Sequence, residues 1–472
     1  MEPLPFIIGG ESGYSDETIK ITNPYSGALI ARVCKAGPDD IKKALVSAVR
    51  GAEVMADIPA YQRAEILHRL AALMEESADL LTDTIIREGG KVRRYASAEV
   101  ARAIGTIRLS AEEATRIKGE MVPFETSPAG EGRIAFTTRF PVGIVLAITP
   151  FNFPLNQICH KAGPAIAAGN ACIIKPASTT PMTALLFGEM MKKAGLPDEA
   201  VSVIPCSTAD AELMVRDPRI GTLSFTGSPE VGWYLRSVTR AGKVTLELGG
   251  NAAVIVHHDA DITSAAARIV EGAFSHAGQV CISVQRVFVH QSVREQLVQE
   301  IALRTENLRI GDPDDPETDI GPMIRPDKTE EALKRIHAAV AGGADVLTGN
   351  SMCGAVLTPT VLIETTPDMD VNCREAFAPV LTITPYESFD DAIILVNNSQ
   401  YGLQTGVYTR SISLAFHAYR KIRTGAVLIN DIPTFRIDSM PYGGVKESGT
   451  GREGPAYAIS EMTEERMIII KT

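Results

Sequence analysis

The sequence lacks a continuous apolar run long enough to cross a bilayer. Its best candidate is interrupted by Gly169, Asn170 and Lys175. The N-terminus, MEPLPFIIGGESGYSDE, has no basic region ahead of its short apolar run, so we read no signal peptide. These absences predict a cytoplasmic protein with no membrane partner.

Disulfide and metal signatures are also missing. The seven cysteines are an odd number, are scattered along the chain and include no CxxC pair, which is typical of a reducing compartment. The eight histidines show no HExxH or other metal-ligand spacing, so we predict no metal. A formal net charge of −11 argues against binding to nucleic acid.

Aromatic residues make up only 6% of the chain, and small residues are abundant, which favours helices packed closely on a parallel sheet. At 472 residues the chain is too long for one core, so two or three domains are expected. Residues 36–80 and 96–118 read as helical. Beyond them, helical patterns alternate with short apolar runs: GIVLAI, ACIIKP, VSVIP, TLSFTGS and KVTLELGG, then AAVIVH, QRVFVH, TPTVLIE, APVLTITPY and TGAVLIN. This alternation predicts an α/β fold with two units of open parallel sheet.

Polar groups and glycines stand where several of these strands end. Asn152 follows GIVLAI, Lys175 ends ACIIKP, Gly227 and Ser228 end TLSFTGS, and Glu247 lies in KVTLELGG. Ligands of open parallel sheets bind beyond the carboxyl ends of the strands. Four such ends in series predict one shared site.

Each of these residues allows two interpretations. SFTGSPEVG is either a phosphate-binding loop at a helix start or a plain tight turn. Lys175 either binds a ribose or phosphate or extends to the surface. Glu247, between two leucines, is either a general base with a raised pKa or a charge paired with a basic residue. Ser178 would permit a 2′-phosphate that a carboxylate would repel.

The stretch SHAGQVCISVQR, residues 275–286, holds Cys281 shortly after Gly278. A glycine there indicates a bend or a close backbone approach. We expect Cys281 at a helix start or strand edge, where backbone N–H groups lower the pKa of a thiol. The residue is either a nucleophile or a buried structural thiol.

Together the motifs resemble the NAD(P)-dependent aldehyde dehydrogenase superfamily. They occur in the family's order and include LELGG followed about thirty residues later by GQxC: TPFNFP (149–154), KPAS (175–178), FTGS (225–228), LELGG (246–250), GQVC (278–281), EAFAP (375–379), NNSQYGL (397–403) and PYGGVKESGTGREG (441–454). The resemblance implies a Rossmann-like cofactor domain, an α/β catalytic domain and a small β oligomerisation element.

The resemblance also implies the roles of individual residues. Cys281 is the nucleophile, the Asn152 amide and the Cys281 backbone N–H hold the oxyanion, and Glu247 activates the water that hydrolyses a thioester. The implied cofactor is NADP, which Ser178 favours, and NAD remains an alternative. The implied cofactor-binding residues are Ile148, Thr149, Pro150, Phe151, Lys175, Ser178, Gly227, Ser228, Gly249, Glu375 and Phe377.

The same resemblance predicts domain boundaries and assembly. Residues 1–118 and 139–247 would form the cofactor domain, and residues 248–440 the catalytic domain. Residues 119–138 and 455–472 would form the oligomerisation element. The terminal run RMIII would leave an exposed apolar edge in a monomer, so we predict a homo-oligomer, either a dimer or a tetramer.

The substrate is expected to be a small hydroxylated or acidic aldehyde. The predicted pocket residues flank Asn152 and Cys281 or precede PYGGVK: Phe153, Gln157, Val280, Ile282 and Arg436. Arg436 either pairs with a substrate anion or is a surface or interface arginine, and His160 and Arg102 are weaker candidates. The form NDxxxFRxDxMPxGGVK resembles the branch of lactaldehyde and non-phosphorylating glyceraldehyde-3-phosphate dehydrogenases. Val280 stands where members that act on phosphorylated aldehydes often have arginine, which argues against a dedicated phosphate site.

The sequence alone leaves four other functions open. They are a succinate-semialdehyde dehydrogenase, a CoA-acylating dehydrogenase, a non-catalytic protein of the same fold and a cysteine hydrolase. The CoA-acylating branch usually lacks a glutamate at position 247, and a non-catalytic protein would be expected to lose Cys281, Glu247 or Asn152. A hydrolase would not need the series of cofactor motifs.

Overall fold

A computed structural model describes residues 2–472 of the chain. Residues 2–141 contain six strands and four α-helices: β1 (Phe6–Ile8), β2 (Glu11–Gly13), β3 (Thr18–Thr22), β4 (Leu29–Cys34), α1 (Pro38–Asp57), α2 (Ala60–Glu76), α3 (Ala78–Gly89), α4 (Arg93–Ala114), β5 (Met121–Val122) and β6 (Arg133–Pro141). The region predicted as helical at 36–80 is divided at Pro59. Ile58 before it is extended, because a proline disfavours helical backbone in the preceding residue.

Residues 142–250 alternate regularly between strands and helices. The elements are β7 (Ile144–Ile148), α5 (Asn156–Ala167), β8 (Ala171–Lys175), α6 (Pro181–Lys193), β9 (Val201–Val203), α7 (Thr208–Val215), β10 (Thr222–Thr226), α8 (Pro229–Val238) and β11 (Lys243–Glu247). All twelve residues of α5 are buried, including the polar residues Asn156, His160 and Lys161. A helix with no exposed face places these side chains inside the molecule.

Residues 251–472 form the second half of the fold. The elements are β12 (Ala253–Val256), α9 (Ile262–Phe274), β13 (Arg286–His290), α10 (Arg294–Glu306), α11 (Pro326–Ala341), β14 (Asp345–Thr348), β15 (Met352–Cys353), β16 (Val356–Leu357), β17 (Thr360–Ile363), α12 (Asp370–Cys373), β18 (Val380–Tyr386), α13 (Phe389–Asn397), β19 (Gln404–Tyr408), α14 (Ile412–Lys421), β20 (Ala426–Ile429), β21 (Gly449–Thr450), α15 (Pro455–Glu461) and β22 (Thr463–Lys471).

The first large sheet has the order β2-β1-β9-β8-β7-β10-β11-β21, and its five strands from β9 to β11 are parallel. From β7 the chain adds β8 and β9 on one side, then returns to add β10 and β11 on the other. The strand order therefore reverses between β7 and β10, and a crevice is expected at the carboxyl ends of these two strands. Asn152 follows β7, and Gly227 follows β10.

The second large sheet has the order β14-β17-β18-β13-β12-β19-β20 and is parallel except for β14. Each large sheet has an apolar core of its own, built mainly from alanine, valine, isoleucine and leucine. The α/β class predicted from the sequence is confirmed. Strand β19 was not predicted.

A third sheet pairs β22 with β6, and β6 with β5, all antiparallel. The register runs from Thr463 opposite Pro141 to Lys471 opposite Arg133. After its first residue, every residue of β22 is exposed. None of the helices in residues 2–472 combines the length and the hydrophobicity that a bilayer crossing requires.

Candidate active site

A cleft of about 1130 Å³ opens beyond the carboxyl ends of β7, β10 and β11, with segments of the second half as its other wall. Most of the residues predicted to form the site line it: Pro150, Phe151, Asn152, Phe153, Gln157, Ser178, Gly227, Ser228, Glu247, Gly249, Val280, Cys281, Ile282, Glu375, Phe377 and Arg436. The exceptions are Ile148, Thr149 and Lys175. They lie at the paired ends of β7 and β8, where the Thr149 N–H donates to the Lys175 carbonyl oxygen at 3.1 Å.

Cys281 lies in a turn between α9 and β13, so the expected helix start or strand edge is wrong. His276, Ala277 and Gly278 precede it in the left-handed conformation, with φ of 49°, 53° and 71°. Glycine is needed at 278 because a Cβ atom there would lie 2.1 Å from the Ala378 carbonyl oxygen. The residues that follow this bend line the cleft.

The Cys281 side chain is partly open to the cleft but largely surrounded by protein, with Sγ 3.0 Å from the Tyr442 hydroxyl oxygen. Burial raises the pKa of the Cys281 thiol to about 12. The Tyr442 hydroxyl and the Arg436 charge lower this pKa, while the carboxylates of Glu375 and Glu247 raise it. The predicted lowering is wrong because exclusion of water outweighs the favourable dipoles.

The Asn152 side chain is buried and fixed to the nucleophile segment. Its Nδ2 donates to the backbone carbonyl oxygen of Gln279, two residues before Cys281, at 2.8 Å. Gln279 is itself held, because its Oε1 accepts from the Ile324 N–H at 2.9 Å and its Nε2 donates to the His276 carbonyl at 3.1 Å. An amide nitrogen has two N–H donors, so one remains for another acceptor in the cleft.

Glu247 ends β11 and is only 3% exposed. Neither of its carboxylate oxygens has a hydrogen-bond partner among residues 2–472. Burial raises the pKa of Glu247 well above its ordinary value, and the nearby Glu453 charge raises it further. The raised pKa predicted from the sequence is confirmed. A buried carboxyl group without a partner favours a functional explanation over the alternative of an ion pair.

Behind Glu247 lies a buried ion network that the sequence analysis missed. Lys161 Nζ donates to Glu453 Oε1 at 2.8 Å and to Ser224 Oγ at 3.1 Å, and Arg436 Nη2 donates to Glu453 Oε2 at 3.1 Å. Burial alone would raise the pKa of Glu453, but the charges of Lys161 and Arg436 lower it to about 2. Glu453 therefore stays ionised, and its charge adds to burial in raising the pKa of Glu247.

Arg436 is not a surface residue, because its side chain is 6% exposed and stacks on the Tyr442 ring at 3.7 Å from the centroid. Nearby, Asp438 accepts from Arg102 Nη2 at 2.7 Å and lies 2.9 Å from His160 Nε2. The hydrogen bonds from His160 and Arg102 hold the pKa of Asp438 far below its usual value although burial opposes this. Asp438 thus joins Arg102 to His160, and His160 Nε2 in turn lies 3.0 Å from Arg436 Nη2. The three basic residues were candidates from the sequence, and Asp438 was not.

The part of the cleft predicted to bind phosphate is built on the start of α8. Gly227 and Ser228 precede this ten-residue helix. Its first residue, Pro229, has no N–H and Ser228 makes no side-chain cap, so the N–H groups of Glu230 and Val231 stay available to an anion. Ser178 lines the cleft nearby, and no carboxylate occupies its position. This donor set fits a dinucleotide phosphate.

The cleft lining also contains Glu375 and two aromatic rings. Glu375 accepts from the Gly250 N–H at 2.9 Å, and a Cβ atom on Gly249 would lie 2.2 Å from its Oε2. Burial raises the pKa of Glu375 to about 7. The rings of Phe151 and Phe377 meet edge to face, with centroids 5.9 Å apart. A carboxyl acceptor beside apolar rings fits a ribose next to a planar ring. In the part of the chain that the structure describes, no group of three or more His, Cys, Asp or Glu side chains is arranged to hold a metal.

The enzymes with similar sequences include two from Priestia megaterium and Methanococcus vannielii. The 3-sulfolactaldehyde dehydrogenase of Priestia megaterium is 43% identical over 464 residues, which cover 98% of this chain and 97% of that protein. The lactaldehyde dehydrogenase of Methanococcus vannielii is 37% identical over 462 residues, which cover 96% and 97%.

Two solved structures match the fold over nearly its full length. The glyceraldehyde-3-phosphate dehydrogenase of Methanocaldococcus jannaschii, complexed with NADP, has a TM-score of 0.93 at 34% identity and covers 97% of this chain and 100% of its own. Aldehyde dehydrogenase 21 of Physcomitrella patens, in complex with the reaction product succinate, has a TM-score of 0.97 at 35% identity and covers 100% and 99%.

These matches agree with the resemblance to the branch of lactaldehyde and glyceraldehyde-3-phosphate dehydrogenases, which is confirmed. Residues 12–468 match the family described as the aldehyde dehydrogenase family. The chain therefore belongs to the aldehyde dehydrogenase family.

Proposed function

We propose that this enzyme oxidises a three-carbon 2-hydroxy aldehyde to its carboxylic acid, with NADP as the preferred cofactor. One observation carries the chemical part of the proposal. The Cys281 thiol, the Asn152 amide and the Glu247 carboxyl group, which has no hydrogen-bond partner among residues 2–472, all line one cleft with Gly227 and Ser228 at the start of α8. Few reactions other than aldehyde oxidation use a thiol, an oxyanion donor and a base beside a nicotinamide.

Cys281 would attack the aldehyde carbon as a thiolate, forming a C–S bond after the thiol proton has passed to solvent at the open side of the cleft. The negative charge that develops on the aldehyde oxygen would be held by the free Asn152 N–H and the Cys281 backbone N–H. NADP, when bound, supplies the acceptor for the hydride. Once the hydride has departed, the acyl group remains on Cys281 as a thioester.

Glu247 would complete the reaction by accepting a proton from water as the water oxygen attacks the thioester carbon. The C–S bond then breaks, the acid leaves and the Cys281 thiol is restored. Glu247 can do this only when ionised, and its raised pKa makes it a stronger base than an exposed glutamate once it has lost its proton.

Two observations support NADP. Ser178 lines the cleft where a carboxylate would repel a 2′-phosphate, and the similar M. jannaschii enzyme was solved with NADP. Lys175 and Glu375 would bind the two riboses. The phosphates would bind at Gly227 and Ser228, and Ile148, Thr149, Pro150, Phe151, Gly249 and Phe377 would form the remaining contacts.

The substrate class rests on what the similar enzymes share. Lactaldehyde, 3-sulfolactaldehyde and glyceraldehyde-3-phosphate are all three-carbon 2-hydroxy aldehydes, and the last two carry an anionic group on C3. Two arginines, Arg102 and Arg436, line this cleft, and Arg436 Nε has no hydrogen-bond partner among residues 2–472. These guanidinium donors favour an anionic group at C3. Phe153, Gln157, Val280 and Ile282 would enclose the carbon chain.

The substrate proposal predicts a ranking in a spectrophotometric assay. We expect NADP reduction without CoA, and kcat/KM for 3-sulfolactaldehyde or glyceraldehyde-3-phosphate at least about tenfold above that for lactaldehyde, the effect of one favourable charge interaction of about 1.4 kcal/mol. The measurement is absorbance of the reduced nicotinamide with each aldehyde and with NADP or NAD.

Succinate semialdehyde belongs in the same assay, because the P. patens structure holds succinate as product. If it exceeds all three hydroxy aldehydes, the 2-hydroxy requirement is wrong. Reduction only when CoA is added would show a CoA-acylating enzyme. No reduction with any aldehyde and either cofactor would contradict the proposed function.

We also propose that the chain forms a dimer or tetramer through the third sheet. We assign residues 119–138 and 455–472 to this element, with residues 1–118 and 139–247 as the cofactor domain and residues 248–440 as the catalytic domain. Strand β22 is an edge strand whose residues Met467–Ile470 are 44–51% exposed. An exposed apolar edge of this kind is an association surface.

An Ile469→Glu substitution is expected to produce monomers, because it would bury a charge in the proposed interface. Sedimentation velocity would show a dimer or tetramer for the native protein and for a Glu464→Gln control on the same strand. A native protein that sediments as a monomer, or an Ile469→Glu variant that keeps its assembly state, would place the interface elsewhere or exclude it.

A further inference from the structure

A buried ion pair lies directly beneath the loop that carries Asn152. Lys91 and Glu99 are 1% and 0% exposed, and they pair with each other. Lys91 Nζ also donates to the backbone carbonyl oxygen of Asn152 and lies 3.8 Å from the centroid of the Phe153 ring. The lysine charge is therefore directed at the backbone of Asn152 and the ring of Phe153, two residues predicted to meet the substrate.

Glu99 holds the far end of the same loop. Its Oε1 accepts from the N–H of Leu155 at 2.9 Å and from the N–H of Asn156 at 3.1 Å. These are the first backbone donors of α5, which otherwise lacks a side-chain cap. One ion pair thus fixes both ends of the segment 152–156.

A buried ion pair costs much of its attraction in lost hydration, so its presence is weak support for a purely stabilising role. Here the pair supplies something that an apolar pair could not, namely one donor and one acceptor for backbone groups on either side of the loop. With Asn152 Nδ2 held by the Gln279 carbonyl at 2.8 Å, the amide is fixed through both its backbone and its side chain.

We propose that Lys91 and Glu99 are positioning residues that set the location of the Asn152 amide for oxyanion binding. This inference rests on the proposed function, in which Asn152 donates to the oxyanion. Oxyanion donors act at 2.7–3.1 Å from the charge, and a displacement of about 1 Å at a reacting centre can cost about 10²-fold in rate. Neither residue was identified from the sequence.

The test is the first-turnover rate of NADPH formation, measured by stopped flow with the aldehyde that the substrate assay ranks first. For Lys91→Met we expect this rate to fall about 10- to 100-fold, while the burst amplitude per total enzyme and the KM for NADP stay within about twofold. A merely structural role would lower the amplitude, as folded protein is lost, and leave the rate constant unchanged.

A double-mutant cycle shows whether Lys91 acts through Asn152. We expect Lys91→Met to slow the native enzyme 10- to 100-fold but to slow an Asn152→Ala enzyme less than about threefold, because the group being positioned is already absent. Glu88→Gln is the matched control. Glu88 is a buried carboxyl group that accepts from the N–H groups of Met182 and Thr183 at the start of α6, so it tests the loss of the same kind of cap elsewhere, and its first-turnover rate should be unchanged.

The outcomes separate this inference from the proposed function. If Asn152→Ala turns over at the native rate, the oxyanion role of Asn152 fails. If Asn152→Ala is slow but Lys91→Met is fast, or if the two effects multiply, the positioning role fails while the proposed function stands. Should Lys91→Met not fold, the Lys91→Met/Glu99→Gln variant buries no unpaired charge and carries the same cycle.

Discussion

A Cys281→Ala variant is expected to lose at least about 10⁴-fold in kcat with every aldehyde while retaining its fold, the order of loss seen when a covalent nucleophile is removed. The reason is that hydride cannot leave an aldehyde efficiently until a nucleophile has made its carbon tetrahedral. Absorbance of the reduced nicotinamide measures the loss. Thermal unfolding should give a melting temperature close to the native one, because the side chain is partly open to the cleft.

Cys353→Ala is the matched control for this prediction, since Cys353 is exposed and lies away from the cleft. It should keep native activity. Retention of more than a few per cent of kcat by Cys281→Ala would show that another group attacks the aldehyde. The raised pKa adds a check. Because burial raises the pKa of the Cys281 thiol to about 12, inactivation by iodoacetamide should be slow at pH 7 and accelerate as the pH rises.

The sequence around Cys281 identifies it as the candidate nucleophile but does not predict its thiol pKa. That pKa depends on groups that are distant in sequence. Tyr442 is 161 residues distant in sequence, and Glu375 comes from a third segment. Local backbone dipoles could be predicted, whereas the exclusion of water by the assembled cleft could not.

The strands of the fold were likewise predictable only in part. Strands with apolar β-branched runs, such as β7 and β12, were predicted because hydrophobicity alone marks them. Strand β19, with the sequence QTGVY, was missed because Gln404, Thr405 and Gly406 do not read as a buried strand. It is nevertheless fully buried, since Gln404 Nε2 finds backbone carbonyl partners at Pro433 and Phe435. These hydrogen bonds to distant backbone carbonyls cannot be predicted from the sequence of the strand alone.

Most residues of the candidate site were predictable from the sequence, but the hydrogen bonds and ion pairs that hold them were not. Residues after strand ends were identified because parallel sheets place those ends together. The polar groups that hold them were missed because their partners are distant: Asp438 joins Arg102 across 336 residues, and Lys161 reaches Glu453 across 292. A lysine inside the apolar pattern of α5 was the available signal, because a buried charge requires a partner.

A Glu247→Gln variant is expected to form about one NADPH per active site in a rapid first turnover and then to slow about 10²- to 10⁴-fold, the usual range for loss of a general base. Attack by Cys281 and departure of hydride do not need Glu247, whereas hydrolysis of the thioester does. Glutamine has nearly the same shape, so the cleft should keep its form. Stopped-flow absorbance gives the burst, and mass spectrometry of the quenched enzyme should show the acyl group on Cys281.

The Glu247 carboxyl group also determines whether steady-state turnover of the native enzyme rises or falls with pH. Burial and the Glu453 charge raise the pKa of Glu247, so the group is protonated below that pKa and cannot accept a proton from water. Steady-state turnover limited by hydrolysis should therefore increase as the pH rises through this pKa, and the increase should disappear in Glu247→Gln.

Added hydroxylamine provides a chemical control, because it attacks a thioester without a general base and should restore turnover to Glu247→Gln but not to Cys281→Ala. A Glu247→Gln enzyme with no burst would instead place Glu247 before hydride departure, as the base that removes the Cys281 proton. That result would assign the carboxyl group to activation of the thiol, whose raised pKa also calls for a base.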